Sequence, residues 1–375
     1  MKQSIRTDPE RLRPFVEGHS LLARLAERSS AASPIWLVGG AVRDALTGGE
    51  LVDIDLVVAD GAADLGLDLA HDALIHERFG TAELETGGHR VDVATARTET
   101  YPAPGALPEV TLGAAIEEDL GRRDFSLNAM AIALHEPERL IDPFGGRSDL
   151  DEGRLRVLHE RSFLDDPTRA LRAARYAARF GFDLDPETAE LLRAADLGTV
   201  SADRVAQEKE LSAAEATGVE AFRRAVAWRL LEIPDERLDL AEAAAGLLGT
   251  DTWRGRAPRY EVVLGAVEGG FREVPAEAPE TPYAGVALAR GLRPAEALLN
   301  RARGAGWLDR YENEWSQVRL LITGDDLILA GIPQGPAVGI GMAAALRAKL
   351  DRGIEGIEPE LEIAVEAAEA ALAGS

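Results

Sequence analysis

The apolar positions change period along the chain. Leu21, Leu22 and Leu25 recur at helical spacing after Ser20, which predicts a helix within residues 1–30. Pro34-Ile35-Trp36-Leu37-Val38 is a short apolar run stopped by Gly39-Gly40 and reads as a buried strand. Ala41 to Leu46 then reads as the first turns of a helix, Asp53 to Val58 as a second strand, and Ala62 to Leu74 as a further helix. Thr81–Glu85 and His89–Ala94 flank Gly87-Gly88, a hairpin pattern. Residues 100–113 are dense in Pro and Gly and are expected to form a mobile loop. From about residue 114 the pattern turns helical, and Ile141 to Gly146 punctuates it as a turn or domain boundary would. After residue 165 nearly everything is Ala/Leu/Arg/Glu-rich at helical spacing. Breaks fall near Pro186, Thr199–Ser201, Pro234, Gly246–Gly249 and 269–283, and a terminal helix is expected over 358–375. The plan is a small mixed α/β domain followed by an all-helical extension.

A chain of 375 residues suggests about two or three domains. Without cysteine there are no disulfides, thiolate metal sites or cysteine nucleophiles. No apolar run approaches the roughly 18 residues of a membrane span, and no apolar segment follows the charges of the first fifteen residues. The expected setting is the cytoplasm, with no membrane partner. The net charge of −24 speaks against a nucleic-acid partner on its face, since phosphate binding draws on Lys and Arg. Neither half is basic, so any phosphate-binding surface must be a local stripe. The cations are almost all Arg, with Lys only at 2, 209 and 349.

Four motifs carry chemistry. Gly39-Gly40 ends a strand and opens a helix with Arg43 one turn in. Such a turn lets backbone amides approach a phosphate, or is simply a tight connection. Asp53 and Asp55 are two apart on a strand and face the same way. That suits a divalent cation such as Mg²⁺, or a solvated strand end. Asp92, two residues after Arg90, is a candidate third ligand or a solvated hairpin residue. In Asp119-Leu120-Gly121-Arg122-Arg123-Asp124-Phe125-Ser126-Leu127-Asn128, a helix would place Asp124 and Asn128 on one face, with the arginines near its start to hold a triphosphate or to form a surface ion cluster. Finally, Asp166, Arg169, Arg172 and Arg175 recur every third residue after Asp165 and line one side of a helix opened by Pro167. An acceptor followed by a donor one turn on matches the pairing edge of cytosine and of adenine. Guanine and uracil present the reverse.

In this order and spacing, LVGGAVRDAL, DID, ARTE, EEDLGRRDFSLNAMA, IDPFGG and DDPTRALRAARYAARFGF resemble the class II tRNA nucleotidyltransferase and bacterial poly(A) polymerase family. The resemblance is close over 34–185 and weaker over 200–211 and 318–339. It implies an α+β head with a polymerase-β-like palm built on a mixed sheet (1–145), a helical neck with the base-reading helix (146–215), and a helical body and tail that bind tRNA (216–375). It implies template-independent transfer of CMP and AMP from CTP and ATP to a tRNA 3′ end. Asp53 and Asp55 would be catalytic and bind Mg²⁺. Gly39, Gly40 and Arg43 would hold the triphosphate, and Arg123 would contact the nucleotide. Asp166 and Arg169 would read the base, supported by Arg172 and Arg175. Partial CC-adding, A-adding and poly(A)-adding activities are the alternatives within the family. Two changes are mild: Asp165 stands where Glu is frequent, and Ser-Leu-Asn where Thr-Ile-Asn is common. No histidine follows His159, so the His-Asp phosphohydrolase domain of some members is not expected.

Overall fold

The computed structural model describes residues 6–49, 51 and 53–373. The chain divides into two compact units, Met1–Glu232 and Ile233–Ser375.

The first unit begins with α1 (Leu12–Gly18) and α2 (Ser20–Arg28), followed by β1 (Ile35–Val38), α3 (Gly40–Thr47), β2 (Asp53–Val58) and α4 (Ala62–Leu69). The strands β3 (Leu74–His76), β4 (Thr81–Thr86), β5 (His89–Thr95), β6 (Arg97–Thr100) and β7 (Glu109–Leu112) come next. Then follow α5 (Ile116–Gly121), β8 (Ala131–Ala133), β9 (Leu140–Ile141), α6 (Gly146–Glu152) and β10 (Arg154–Leu155). The unit closes with α7 (Ser162–Asp165), α8 (Thr168–Phe180), β11 (Asp183–Leu184), α9 (Pro186–Leu192), α10 (Ala202–Ala214) and α11 (Gly218–Ala227).

Seven strands make one mixed sheet in the order β3-β4-β5-β2-β1-β8-β9. Within this sheet, among the described residues, only β2 and β5 pair in parallel, with Asp53 opposite Arg90 and Asp55 opposite Asp92. Strand alternation sorts the two faces. Ile54, Leu56, Val91 and Val93 point into the main core with Leu22, Leu37, Val42 and Phe125. Val38 and Val57 join Ile116, Leu120 and Ala129 on the other face, the face to which alternation assigns Asp53, Asp55 and Asp92. The head is thus the expected α+β fold on a mixed sheet.

Several local expectations are corrected. The helix after Ala62 stops at Leu69, because Leu74–His76 gains a ladder with β4 and becomes the sheet edge. Part of 100–113 is strand, since β6 and β7 pair from Arg97↔Leu112 to Thr100↔Glu109. No α-helix covers 124–128. Asp124 accepts from the Phe125 amide at 2.8 Å and from Asn128 Nδ2 at 3.0 Å, and that local capping leaves only a short 3-10 turn over Ser126–Asn128. The buried run Ala131–Ala133 and the half-buried Leu140–Ile141 are strands inside a stretch expected to be helical, because so short an apolar run carries no usable period.

The second unit is helical: α12 (Asp235–Leu247), α13 (Arg259–Glu268), α14 (Pro282–Ala289), α15 (Pro294–Ala302), α16 (Leu308–Asn313), α17 (Gly324–Leu329), α18 (Pro336–Arg352) and α19 (Ile357–Ala373). The expected breaks near Pro234, Gly246–Gly249 and 269–283 are found, and further breaks follow α14, α15, α16, α17 and α18. Small residues let α18 and α19 pack closely: a Cβ on Gly341 would lie 2.4 Å from the Ala364 carbonyl oxygen. No helix among the described residues is long and apolar enough to cross a membrane.

Candidate active site

A cavity of about 610 Å³ in the first unit is lined by Gly39, Gly40, Arg43, Asp53, Asp55, Arg123, Asp166, Arg169, Arg172 and Arg175, with Asp92 also on its wall. Every site residue singled out in the sequence therefore borders one space, of a size suited to a small-molecule ligand.

The floor is the β1–α3 turn. Gly39 has φ +69°, a conformation that favours glycine, and its amide donates to the Met130 carbonyl at 3.2 Å. A Cβ there would lie 2.9 Å from Arg123 Nη1 and 3.4 Å from Asp55 Oδ2. Only a glycine lets this cation and this carboxylate close on the turn. Arg43, on the first turns of α3, is buried. It donates from Nη1 to Asn128 Oδ1 at 3.0 Å and from Nε to Asp44 Oδ1 at 3.1 Å, and its Cζ lies 4.8 Å above the Phe180 ring.

Beside the floor stand the carboxylates of β2 and β5. Burial raises Asp55 above the ordinary aspartate range; Arg123 opposes the rise, and Asp92 and Asp53 add to it. Asp92 is raised by burial too, against the pull of Arg90, and its buried Oδ1 has no hydrogen-bond partner. An orphaned carboxylate oxygen next to two more carboxylates fits a bound cation. Among the described residues no three His, Asp or Glu side chains group closely enough to enclose a metal ion. Asp53, Asp55 and Asp92 thus stand on the cavity wall as hard oxygen donors, the donor type that divalent cations take together with phosphates.

Arg123 ends the turn after α5. Burial depresses its guanidinium below the usual arginine value, and Asp119 counters this across 3.5 Å. Its buried Nε has no hydrogen-bond partner, and the side chain lies on the cavity wall. Arg122 also borders the cavity, with donors held by Asp119 Oδ1 at 3.0 Å and Glu99 Oε1 at 2.9 Å.

Asp166 and Arg169 meet at the start of α8. Thr168 supplies Asp166 Oδ1 with its amide at 3.1 Å and its hydroxyl at 2.6 Å. Arg169 donates from Nη1 to Ser162 Oγ at 2.8 Å and from Nη2 to the Arg122 carbonyl at 2.7 Å. Both side chains are held by packing before any ligand arrives. Arg172 and Arg175 also border the cavity, but partners in the protein hold many of their donors. Arg172 reaches Asp124 Oδ2 at 3.1 Å and Glu208 Oε1 at 2.7 Å. Arg175 reaches Glu208 Oε2 at 3.3 Å and Glu215 Oε1 at 3.1 Å. Sequence reasoning missed Glu208. It is buried on α10 and joined to α8 by tertiary packing alone, so no local spacing could have pointed to it.

Residues 35–156 match the family model described as "Poly A polymerase head domain". The chain is 36% identical to a CC-adding tRNA nucleotidyltransferase from Deinococcus radiodurans, over 85% of each chain. It is 40% identical to an A-adding tRNA nucleotidyltransferase from Aquifex aeolicus over 54% of this chain. That match spans 29% of the Aquifex protein, and a comparable match spans 51% of the A-adding enzyme of Halalkalibacterium halodurans. The fold is similar to that of a Thermotoga maritima CCA-adding enzyme complexed with tRNA, with TM-score 0.74, 26% identity, and 97% and 99% of the two chains covered.

Proposed function

From the membership of this chain in the tRNA nucleotidyltransferase family, we propose that it is a cytoplasmic enzyme that adds CMP and AMP, without a template, to the 3′ end of tRNA. The observation that carries this reading is the meeting of Asp53–Asp55 and Asp166–Arg169, from distant parts of the chain, on one cavity. The first pair suits phosphoryl chemistry and the second suits a nucleobase.

In the proposed reaction the terminal ribose hydroxyl of tRNA attacks the α-phosphorus of CTP or ATP. A new P–O bond forms, the bond to the β-phosphate oxygen breaks, and pyrophosphate leaves. Asp53 and Asp55 would hold divalent metal, which we take to be Mg²⁺, and such metal would supply a lowered pKa for the hydroxyl and neutralisation of charge on the leaving oxygens. Gly39, Gly40 and Arg43 cradle the triphosphate, and Arg123 neutralises it from the other side of the turn. Asp166 Oδ2 accepts from the exocyclic amino group of cytosine or adenine, and Arg169 donates to the adjacent ring nitrogen. Uracil or guanine would face Asp166 with an oxygen and Arg169 with an N–H, leaving groups unpaired at about 1–3 kcal/mol each. Arg172 and Arg175 support this pair through Asp124 and Glu208. Positioning and charge stabilisation supply the acceleration. The overall acidity requires that tRNA be met by local arginines.

A partial activity is the second reading, favoured by the name of the Deinococcus relative, a CC-adding enzyme matched over most of both chains. One assay decides. Purified protein with Mg²⁺ receives tRNA transcripts lacking CCA, ending in C or ending in CC, with CTP and ATP singly and together. Stepwise addition that halts at CCA is expected. A halt at CC, or extension of the CC-ended transcript alone, assigns the partial enzyme. Long A tails make it a poly(A) polymerase, and no addition at any salt concentration refutes the proposal.

A further inference from the structure

The second unit holds a groove of its own, with a volume of about 270 Å³, between α13, the Gly269–Phe271 turn and α15. Its floor is apolar, made by Leu264 of α13 with Ala295 and Leu299 of α15. Gly265 lets the two helices close beneath it; a Cβ there would lie 2.9 Å from Leu299 Cδ1. Half-buried Tyr260 and Phe271 stand on the walls. The rim is open at Gly270, whose φ is +80° and where a Cβ would meet nothing within 4 Å.

The charges on this groove do not balance. Three carboxylates, Glu261, Glu268 and Glu296, share it with one cation, Arg293. Glu296 and Arg293 neutralise each other. Glu296 accepts from Arg293 Nη2 at 3.2 Å and from the Arg293 amide at 2.9 Å, a contact that caps α15. That leaves Glu261 and Glu268 as the excess charge of the lining. The end of α13 adds to the same sign, because its last carbonyls carry the negative end of the helix dipole. They already hold one guanidinium: Arg237 Nη1 donates to the Val267 carbonyl at 3.2 Å and to the Glu268 carbonyl at 2.9 Å. Phe271 holds another, with Arg303 Cζ 5.9 Å from its ring centre.

We infer that this groove binds a linear organic polycation, a polyamine in which methylene runs separate the ammonium groups. The methylenes lie on Leu264, Ala295 and Leu299. One ammonium meets the faces of Tyr260 and Phe271, and the others meet Glu261 and Glu268. A small inorganic cation would use the carboxylates but gain nothing from the apolar floor, and an anion would face the carboxylates. The bound cation offsets part of the acidity of a unit that carries more Asp and Glu than Lys and Arg. The site is independent of the reaction proposed above, and its test needs no nucleotide addition.

Spermidine is titrated into the full-length protein by calorimetry, with Mg²⁺ in excess to screen diffuse attraction to a chain of net charge −24. One saturable site is expected, and the methyl resonances of Leu264 and Leu299 should shift with the same midpoint. Glu268→Gln and Phe271→Leu should each weaken binding about tenfold or more. Glu366→Gln removes the same charge from an exposed position on α19 and should leave the affinity unchanged. Butylamine, with a single ammonium, should bind far more weakly than spermidine. Titration that does not saturate, or equal weakening in Glu268→Gln and Glu366→Gln, means attraction to net charge alone and overturns the inference. So does full affinity in Phe271→Leu, or equal affinity for butylamine. Should Phe271→Leu fail to fold, Glu268→Gln and the methyl shifts decide.

Discussion

Arg172 Nη1 lies 3.1 Å from Asp124 Oδ2 and ties helix α8 to the turn that carries Arg123. The rest of the same guanidinium is held by Glu208, from Nε at 3.1 Å and Nη2 at 2.7 Å. Asp124 and Glu208 are both buried, and together they raise Arg172 well above the ordinary arginine value despite its own burial. Arg172→Met leaves buried Asp124 without its ion-pair partner and Glu208 with Arg175 alone, at 3.3 Å. The expected cost is about 3–5 kcal/mol of stability, read as a lower urea midpoint at unchanged slope. Lysine restores the charge but not the fork, and should recover only part. A loss under about 1 kcal/mol would place this pair with weak surface pairs and sink the argument.

Asp124 carries the pH dependence of that junction. Burial alone would raise its carboxyl, but Arg172, Asn128 and Arg169 outweigh burial and hold it below the ordinary value of 3.8. A group depressed in the folded state adds stability above its unfolded pKa and loses it as pH falls through the folded one. The stability of the first unit should therefore drop below about pH 4. Asp124→Asn should be less stable at pH 7 and show a shallower fall in that acid window. Parallel pH profiles of the two proteins, measured by denaturant midpoint, would remove Asp124 from the explanation.

Gly39 makes the most local of these predictions. Alanine there adds an atom 2.9 Å from Arg123 Nη1, at a φ of +69° that L residues rarely adopt. Arg123 is displaced from its place beside Asp55. A displacement on the order of 1 Å in a positioning group costs about 10²-fold in rate. Gly39→Ala should thus lower kcat/KM for CTP by about that factor while stability changes modestly. Single-turnover kinetics at saturating tRNA checks it; near-wild-type turnover refutes the close approach.

Much of this site could be read from the sequence because its parts are local. Asp53 and Asp55 share a face by strand alternation, Gly39-Gly40 ends a strand, and Asp166 and Arg169 lie at the opening of one helix. What could not be read depends on tertiary contact. Glu208 lies 36 positions from Arg172 in the chain, and Arg204 meets Gly105 across 99 positions; no periodicity encodes either pairing. The same limit explains the fold. The hairpin around Gly87-Gly88 has an explicit turn and is present, closing on the pair Thr86↔His89. Ala131–Ala133 is a strand only because β1 lies beside it.

In the second unit one side chain joins three segments, and its removal is the clearest test of how that unit holds together. Glu360 on α19 is fully buried. Its Oε2 accepts from the Leu321 amide at 2.6 Å and the Ile322 amide at 3.3 Å, and its Oε1 accepts from Lys349 Nζ at 2.6 Å. The surrounding core of Ala345, Ala364, Ala368, Leu327 and Ile322 is built largely of small residues, so apolar area alone gives limited stabilisation. Glu360→Ala strands a partly buried ammonium and two amides at once, a loss of roughly 3–5 kcal/mol. Lys349→Met should cost less, because the carboxylate keeps its two amide donors. The double variant Glu360→Leu/Lys349→Met should recover part of the loss, since no lone charge remains buried. Hydrogen exchange locates the effect: the Leu321 and Ile322 amides should lose protection in Glu360→Ala and keep it in Lys349→Met. Equal protection in both single variants would mean that the backbone of 321–322 is fixed by packing and not by the carboxylate.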